Sequence, residues 1–106
     1  MSTLLVLTNA PDQGIAERIA RHVVEARLAA CVNILSPCRS VYRWQGTIED
    51  ATEIPLLIKT TPDRYPALES AIKSMHPYDV PEIIGIPIVA GWPAYLGWVD
   101  EQLRPG

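Results

Sequence analysis

The sequence predicts an α+β domain in which two β-α-β halves share one sheet, followed by a further helix. Three observations lead there. Apolar runs of strand length alternate with segments of helical period in the order β-α-β-β-α-β-α. Turn and cap residues fall at the joints: Asn9-Ala10-Pro11-Asp12, Gln45-Gly46, Thr61-Pro62-Asp63 and Gly91-Trp92-Pro93. The chain has 106 residues, 48% of them apolar, enough for one core and too few for two, so residues 1–106 read as a single domain.

Thr3 to Thr8 is a short apolar run and reads as a buried strand. From Asp12 to Arg27, Ile15, Ile19, Val23 and Ala26 recur at helical spacing, and Ala16, Ala20 and Val24 widen the stripe. Ala30 to Trp44 reads as a long strand, with Cys31, Asn33 and Leu35 facing one way and Val32 and Ile34 the other. Ser36-Pro37 predicts a bend or bulge within it. Gln45-Gly46 turns the chain into a second strand, Thr47 to Thr60, where Pro55 needs an edge or a bulge because it has no N–H for the ladder. A second helix starts at Thr61-Pro62-Asp63, with Asp63 the expected N-cap because Pro66 is tolerated only in the first turn. Tyr65, Leu68, Ile72 and Met75 share its apolar face. Glu82 to Val89 is the last strand. Ala94 to Leu103 is the third helix, with Tyr95, Leu96, Val99 and Leu103 as its stripe and Trp92 and Trp98 expected to anchor it. The pattern is the ferredoxin-like split βαβ, with both main helices on one face of an antiparallel sheet. Its other face is apolar and uncovered, and the middle hairpin reaches beyond a small domain. Both features predict an oligomer.

Composition excludes several function classes. The net charge is −3, with acidic and basic residues interspersed and no basic-aromatic strand, which argues against nucleic acid. The run Leu4-Leu5-Val6-Leu7 is too short for a signal-peptide core, and no apolar stretch approaches membrane-spanning length. Two cysteines, Cys31 and Cys38, form no C-x-x-C pair, and a reduced, cytoplasmic setting is expected. No phosphate-binding glycine loop is present.

Chemistry concentrates in Ser74-Met75-His76-Pro77-Tyr78-Asp79-Val80-Pro81-Glu82, where two prolines four apart stiffen a loop carrying polar side chains. His76 can ligate copper or zinc, or can be a helix-terminal His held by a nearby carbonyl. Met75 belongs to the apolar stripe. Glu82 reads as a metal ligand or as the ion-pair partner of Lys59 or Arg43. Lys59 ends an apolar strand and needs Glu53, Glu82 or a bound anion as partner, or snorkels from the sheet edge. Tyr42, Trp44 and Tyr78 can line a cleft for a planar ligand, or Tyr42 and Trp44 can pack a subunit interface. Cys31 reads as a buried, inert thiol. No nucleophile is paired with a base, so an enzyme with His76 as general base is the weakest reading.

Five segments together resemble the CutA family of divalent-cation tolerance proteins. They are Leu28-Ala29-Ala30-Cys31-Val32-Asn33-Ile34, Ser40-Val41-Tyr42-Arg43-Trp44-Gln45-Gly46, Leu57-Ile58-Lys59-Thr60-Thr61, His76-Pro77-Tyr78 with Val80-Pro81-Glu82-Ile83-Ile84, and Tyr95-Leu96-Gly97-Trp98. The resemblance implies a ferredoxin-like homotrimer, similar to the PII signalling proteins, with no catalytic activity and no organic cofactor. It implies inter-subunit clefts that bind copper, another divalent cation or a small anion, with candidate residues Asn33, Trp44, Lys59, Tyr78 and Glu82, and His76 for a metal. Family members with proposed copper ligands carry a Cys late in the first strand and a second His before His-Pro-Tyr. Here those positions are Thr8 and Met75. A trimeric scaffold with no metal site of its own is the rival reading.

Overall fold

The computed structural model describes residues 2–105. Its elements are β1 (Thr3–Ala10), α1 (Gln13–Glu25), β2 (Cys31–Ile34), β3 (Cys38–Trp44), β4 (Thr47–Thr60), α2 (Tyr65–Met75), β5 (Ile83–Ile88) and α3 (Pro93–Gln102). The sheet runs β2-β4-β1-β5 with every neighbouring pair antiparallel, and β3 continues beside β4. This is the predicted ferredoxin-like order. Among the described residues, no helix is long and apolar enough to cross a membrane.

The core follows from period. Val6, Ile54, Leu56 and Ile58 alternate inward from β1 and β4 and meet Ala16, Ile19 and Val23 of α1 and Leu68 and Ile72 of α2. Full burial of each large side chain contributes about 1.5–3 kcal/mol. Val24 and Ala26, assigned to the stripe from sequence, are exposed, so the buried face of α1 is narrower. Asp12 caps α1, its Oδ1 accepting from the Ile15 N–H at 2.9 Å. At the other end Arg27 takes φ 57°, and the Arg27 and Leu28 N–H groups close onto the Val24 and Val23 carbonyls, a Schellman ending without glycine.

The long strand predicted over Ala30 to Trp44 is divided. Ile34 pairs with Leu56 but Cys38 pairs with Glu53, so one extra residue is taken up around Ser36-Pro37. Pro55 lies in a central strand opposite this bulge. Its carbonyl accepts from the Leu35 N–H at 3.0 Å, so the missing N–H faces the side where pairing is already broken.

Two further expectations require correction. Asp63 is not the N-cap of α2: Arg64 occupies that position without a side-chain bond, and Asp63 instead accepts from the Thr61 hydroxyl at 2.5 Å. Trp92 and Trp98 do not anchor α3. They are 76% and 41% exposed, and α3 is held by the small cluster Ala30, Val99 and Leu103 and by Arg27 and Arg64, which donate to the Gln102 and Leu103 carbonyls.

Beyond Ile54 the β3–β4 hairpin loses β1 as a neighbour and continues as a two-stranded ribbon. The radius of gyration is 14.3 Å with a longest extent of 44 Å, where a compact chain of this length has about 13 Å. Both hairpin faces carry apolar residues, Tyr42 and Trp44 on one and Val41 and Ile48 on the other. The sheet face away from α1 and α2 presents Leu5, Leu7, Leu57, Ile84 and Ile86, with α3 over its Cys31 end.

Candidate functional site

The segment from His76 to Glu82 is strapped to the rest of the molecule at both ends. His76 is buried, and its Nε2–H donates to the Asn9 carbonyl at 2.6 Å. Its Nδ1 accepts from the Tyr78 N–H at 3.1 Å. Both partners have fixed roles, so the proton sits on Nε2 and neither ring nitrogen is free. At the far end the Asn9 side-chain amide donates to Glu82 Oε1 at 3.0 Å. Lys73, in the last turn of α2, donates to the Tyr78 and Asp79 carbonyls at 3.2 and 2.7 Å. The Tyr78 ring packs tilted against His76, with centroids 4.7 Å apart.

Between this loop and the hairpin lies a groove of about 870 Å³, within the size range of small-molecule sites. Tyr42, Trp44 and Tyr78 form its aromatic walls. Glu49, Glu53, Asp79 and Glu82 also line it, and no Lys or Arg does. Glu53 is only 7% exposed, and neither of the two salt bridges among the described residues involves it. Burial, and next the charge of Glu53, raise the Tyr78 phenol above its ordinary pKa.

The residues singled out from sequence fall into two groups. Tyr78, Glu82 and Trp44 line the groove, and His76 lies behind it, accepting from the Tyr78 N–H. Lys59 and Asn33 do not. The Lys59 ammonium donates to Asn33 Oδ1 and lies 4.0 Å from Cys31 Sγ, on the open face of the sheet. Lys59 pairs across from Leu5 and Pro55 from Asn9, so the two groups stand four residues apart along β1, about 13 Å. Lys59 therefore meets neither Glu53 nor Glu82, and the partner of Glu82 is Asn9 rather than a cation. Cys31 is half-buried on the open face rather than in the core.

Asn9, Lys73, Glu49, Glu53 and Asp79 were not singled out as site residues. Asn9 carried one signal, a polar residue ending an apolar strand. Glu53 enters the sequence reading only as a possible partner of Lys59 and Glu49 has no role in it; only their placement opposite the loop gives them a shared role. Among the described residues, no three His, Cys, Asp or Glu side chains converge closely enough to hold a metal ion.

Comparison with known proteins accords with this architecture. The family profile described as "CutA1 divalent ion tolerance protein" matches residues 4–102. The divalent-cation tolerance protein CutA of Thermus thermophilus is 46% identical over 98 residues, 92% of this chain and 95% of the relative. That of Pectobacterium atrosepticum is 41% identical over 101 residues, 95% and 92% of the two chains. The crystal structure of CutA from Xylella fastidiosa superposes with a TM-score of 0.95 at 40% identity, covering 98% of this chain and 100% of that one. These are tolerance proteins and not enzymes. The chain belongs to the CutA1 divalent ion tolerance family.

Proposed function

We propose that the chain works as a homotrimer that takes up a divalent cation in three equivalent clefts, each completed by a neighbouring protomer. One observation carries this reading: four carboxylates line the groove and, among the described residues, no cationic side chain does. Such a lining attracts cations and repels a small anion. The carboxylates of a single protomer do not converge into a coordination shell, which fits a site finished across a subunit boundary. The exposed Ile84 and Ile86 of the open face and the hairpin face carrying Val41 and Ile48 are the surfaces for that association. Carboxylate oxygens suit zinc and harder dications better than they suit copper(I). In this reading Glu53 and Glu82 contact the ion, and His76 positions the loop, since both its nitrogens are engaged.

The test is calorimetric titration of the full chain with Zn(II), Cu(II) and Mn(II). The reading expects saturable binding that falls at least about tenfold in a Glu53→Gln, Glu82→Gln variant. Binding unchanged in that variant refutes the placement. A trimer that binds none of the three ions favours the scaffold reading.

A further inference from the structure

The groove has walls that a metal ion would not use. Tyr42, Trp44 and Tyr78 present aromatic surface, and the acids are spread rather than gathered: Glu49 and Glu53 lie four residues apart on β4, about 13 Å, while Asp79 and Glu82 stand on the loop opposite. Spread negative charge with aromatic surface between is complementary to a flexible chain carrying several positive charges separated by methylenes. Each ammonium finds a carboxylate or a ring face, and the methylenes lie on the rings. A volume of about 870 Å³ admits such a chain, where a dication needs a small fraction of it. Glu53 adds an independent pointer. The residue is 7% exposed and its carboxylate faces the Tyr78 phenol, yet neither of the two salt bridges among the described residues supplies it with a cation, and a buried charge is costly until it is paired.

We infer that this groove is a binding site for a linear aliphatic polyamine. The inference rests on the groove being a cation site, as proposed above, but not on the cation being a metal. A divalent ion and a polyamine would use the same carboxylates, so each would weaken the other's binding, and the protein would respond to the balance of the two. Trp44, 40% exposed at the hairpin, reports occupancy.

The probe is spermine, titrated into the full chain at physiological ionic strength and followed by tryptophan fluorescence and calorimetry. Saturable binding at one site per protomer is expected. It should weaken about tenfold in Glu53→Gln and about tenfold in Trp44→Leu, and stay unchanged in Glu17→Gln, which removes the same charge from the exposed face of α1. Circular dichroism melts establish that each variant is folded; Trp44 and Glu17 are exposed, so those two variants keep the fold. Zn(II) added to the spermine complex should lower the apparent spermine affinity. Absence of binding, or binding that Glu17→Gln weakens as much as Glu53→Gln does, overturns the inference, the second by showing nonspecific attraction to an acidic protein. Zinc uptake without spermine uptake overturns the inference and leaves the metal reading standing. Spermine uptake without zinc uptake supports the inference and refutes the metal reading. A groove sealed by a second protomer gives no spermine signal until the oligomer dissociates, which also overturns it.

Discussion

His76 and Thr8 are both buried polar side chains, and they are satisfied to opposite degrees. His76 uses each ring nitrogen, one to close onto β1 and one to hold Tyr78. Replacing it with Ala leaves the Asn9 carbonyl and the Tyr78 N–H without partners, and should cost about 2–4 kcal/mol in urea unfolding. The Thr8 hydroxyl is fully buried and has no hydrogen-bond partner among the described residues. Thr8→Val keeps its shape and removes the stranded polar atom, so it should stabilise by about 1 kcal/mol in the same experiment. Tyr78 gives the molecule a pH dependence. Its folded-state pKa is raised, by burial first and Glu53 second, so the unfolded chain loses this proton before the folded one does. The stabilising contribution is complete below the ordinary tyrosine value of about 10 and is lost as pH rises through the folded value. Tyr65 and Tyr95 are shifted the same way. Stability should therefore fall above about pH 10, and Tyr78→Phe should flatten part of that fall.

At the scale of elements, the hairpin is the part of the protomer with least support. Its turn places Gln45 at φ 49° and Gly46 at φ 80°, the left-handed pair that a two-residue hairpin turn requires. A Cβ on Gly46 meets nothing within 4 Å, so only backbone conformation opposes a side chain there. Gly46→Val should destabilise by roughly 1–2 kcal/mol, read as a lower urea midpoint with unchanged slope. The turn and the bulge were legible in sequence because glycine and proline act locally, at the residue that carries them. The start of α2 was not. Thr61, Asp63 and Pro66 all offered capping signals, and a hydrogen bond between Thr61 and Asp63 withdrew both from the helix. The tryptophans around α3 misled for another reason. Size predicts a place in a core, but the core of α3 is the short line of Val99 and Leu103, and the indoles are left on the outside.

For the whole molecule, the open sheet face and the projecting hairpin are surfaces a protomer cannot satisfy alone, since a two-stranded ribbon is marginal in water. Ile86→Lys places a charge at the middle of that face, opposite Leu5, and should shift sedimentation from the proposed trimer toward monomer while the exposed position leaves the protomer folded. Of the candidate site, the half on one loop was legible, because His76, Tyr78 and Glu82 are neighbours in the chain. The half supplied by Glu49 and Glu53 was not, because their relation to the loop exists only after β4 has crossed the sheet. Lys59 is drawn into the same cleft by its charge and by the family resemblance, and the register of β1 with β4 separates them. The most direct measurement is a native mass spectrum of the full chain across a Zn(II) titration, with Glu53→Gln, Glu82→Gln in parallel. The account predicts a trimer that takes up three ions and loses them in the variant. A monomer, or a trimer whose ion uptake the variant leaves intact, would contradict it.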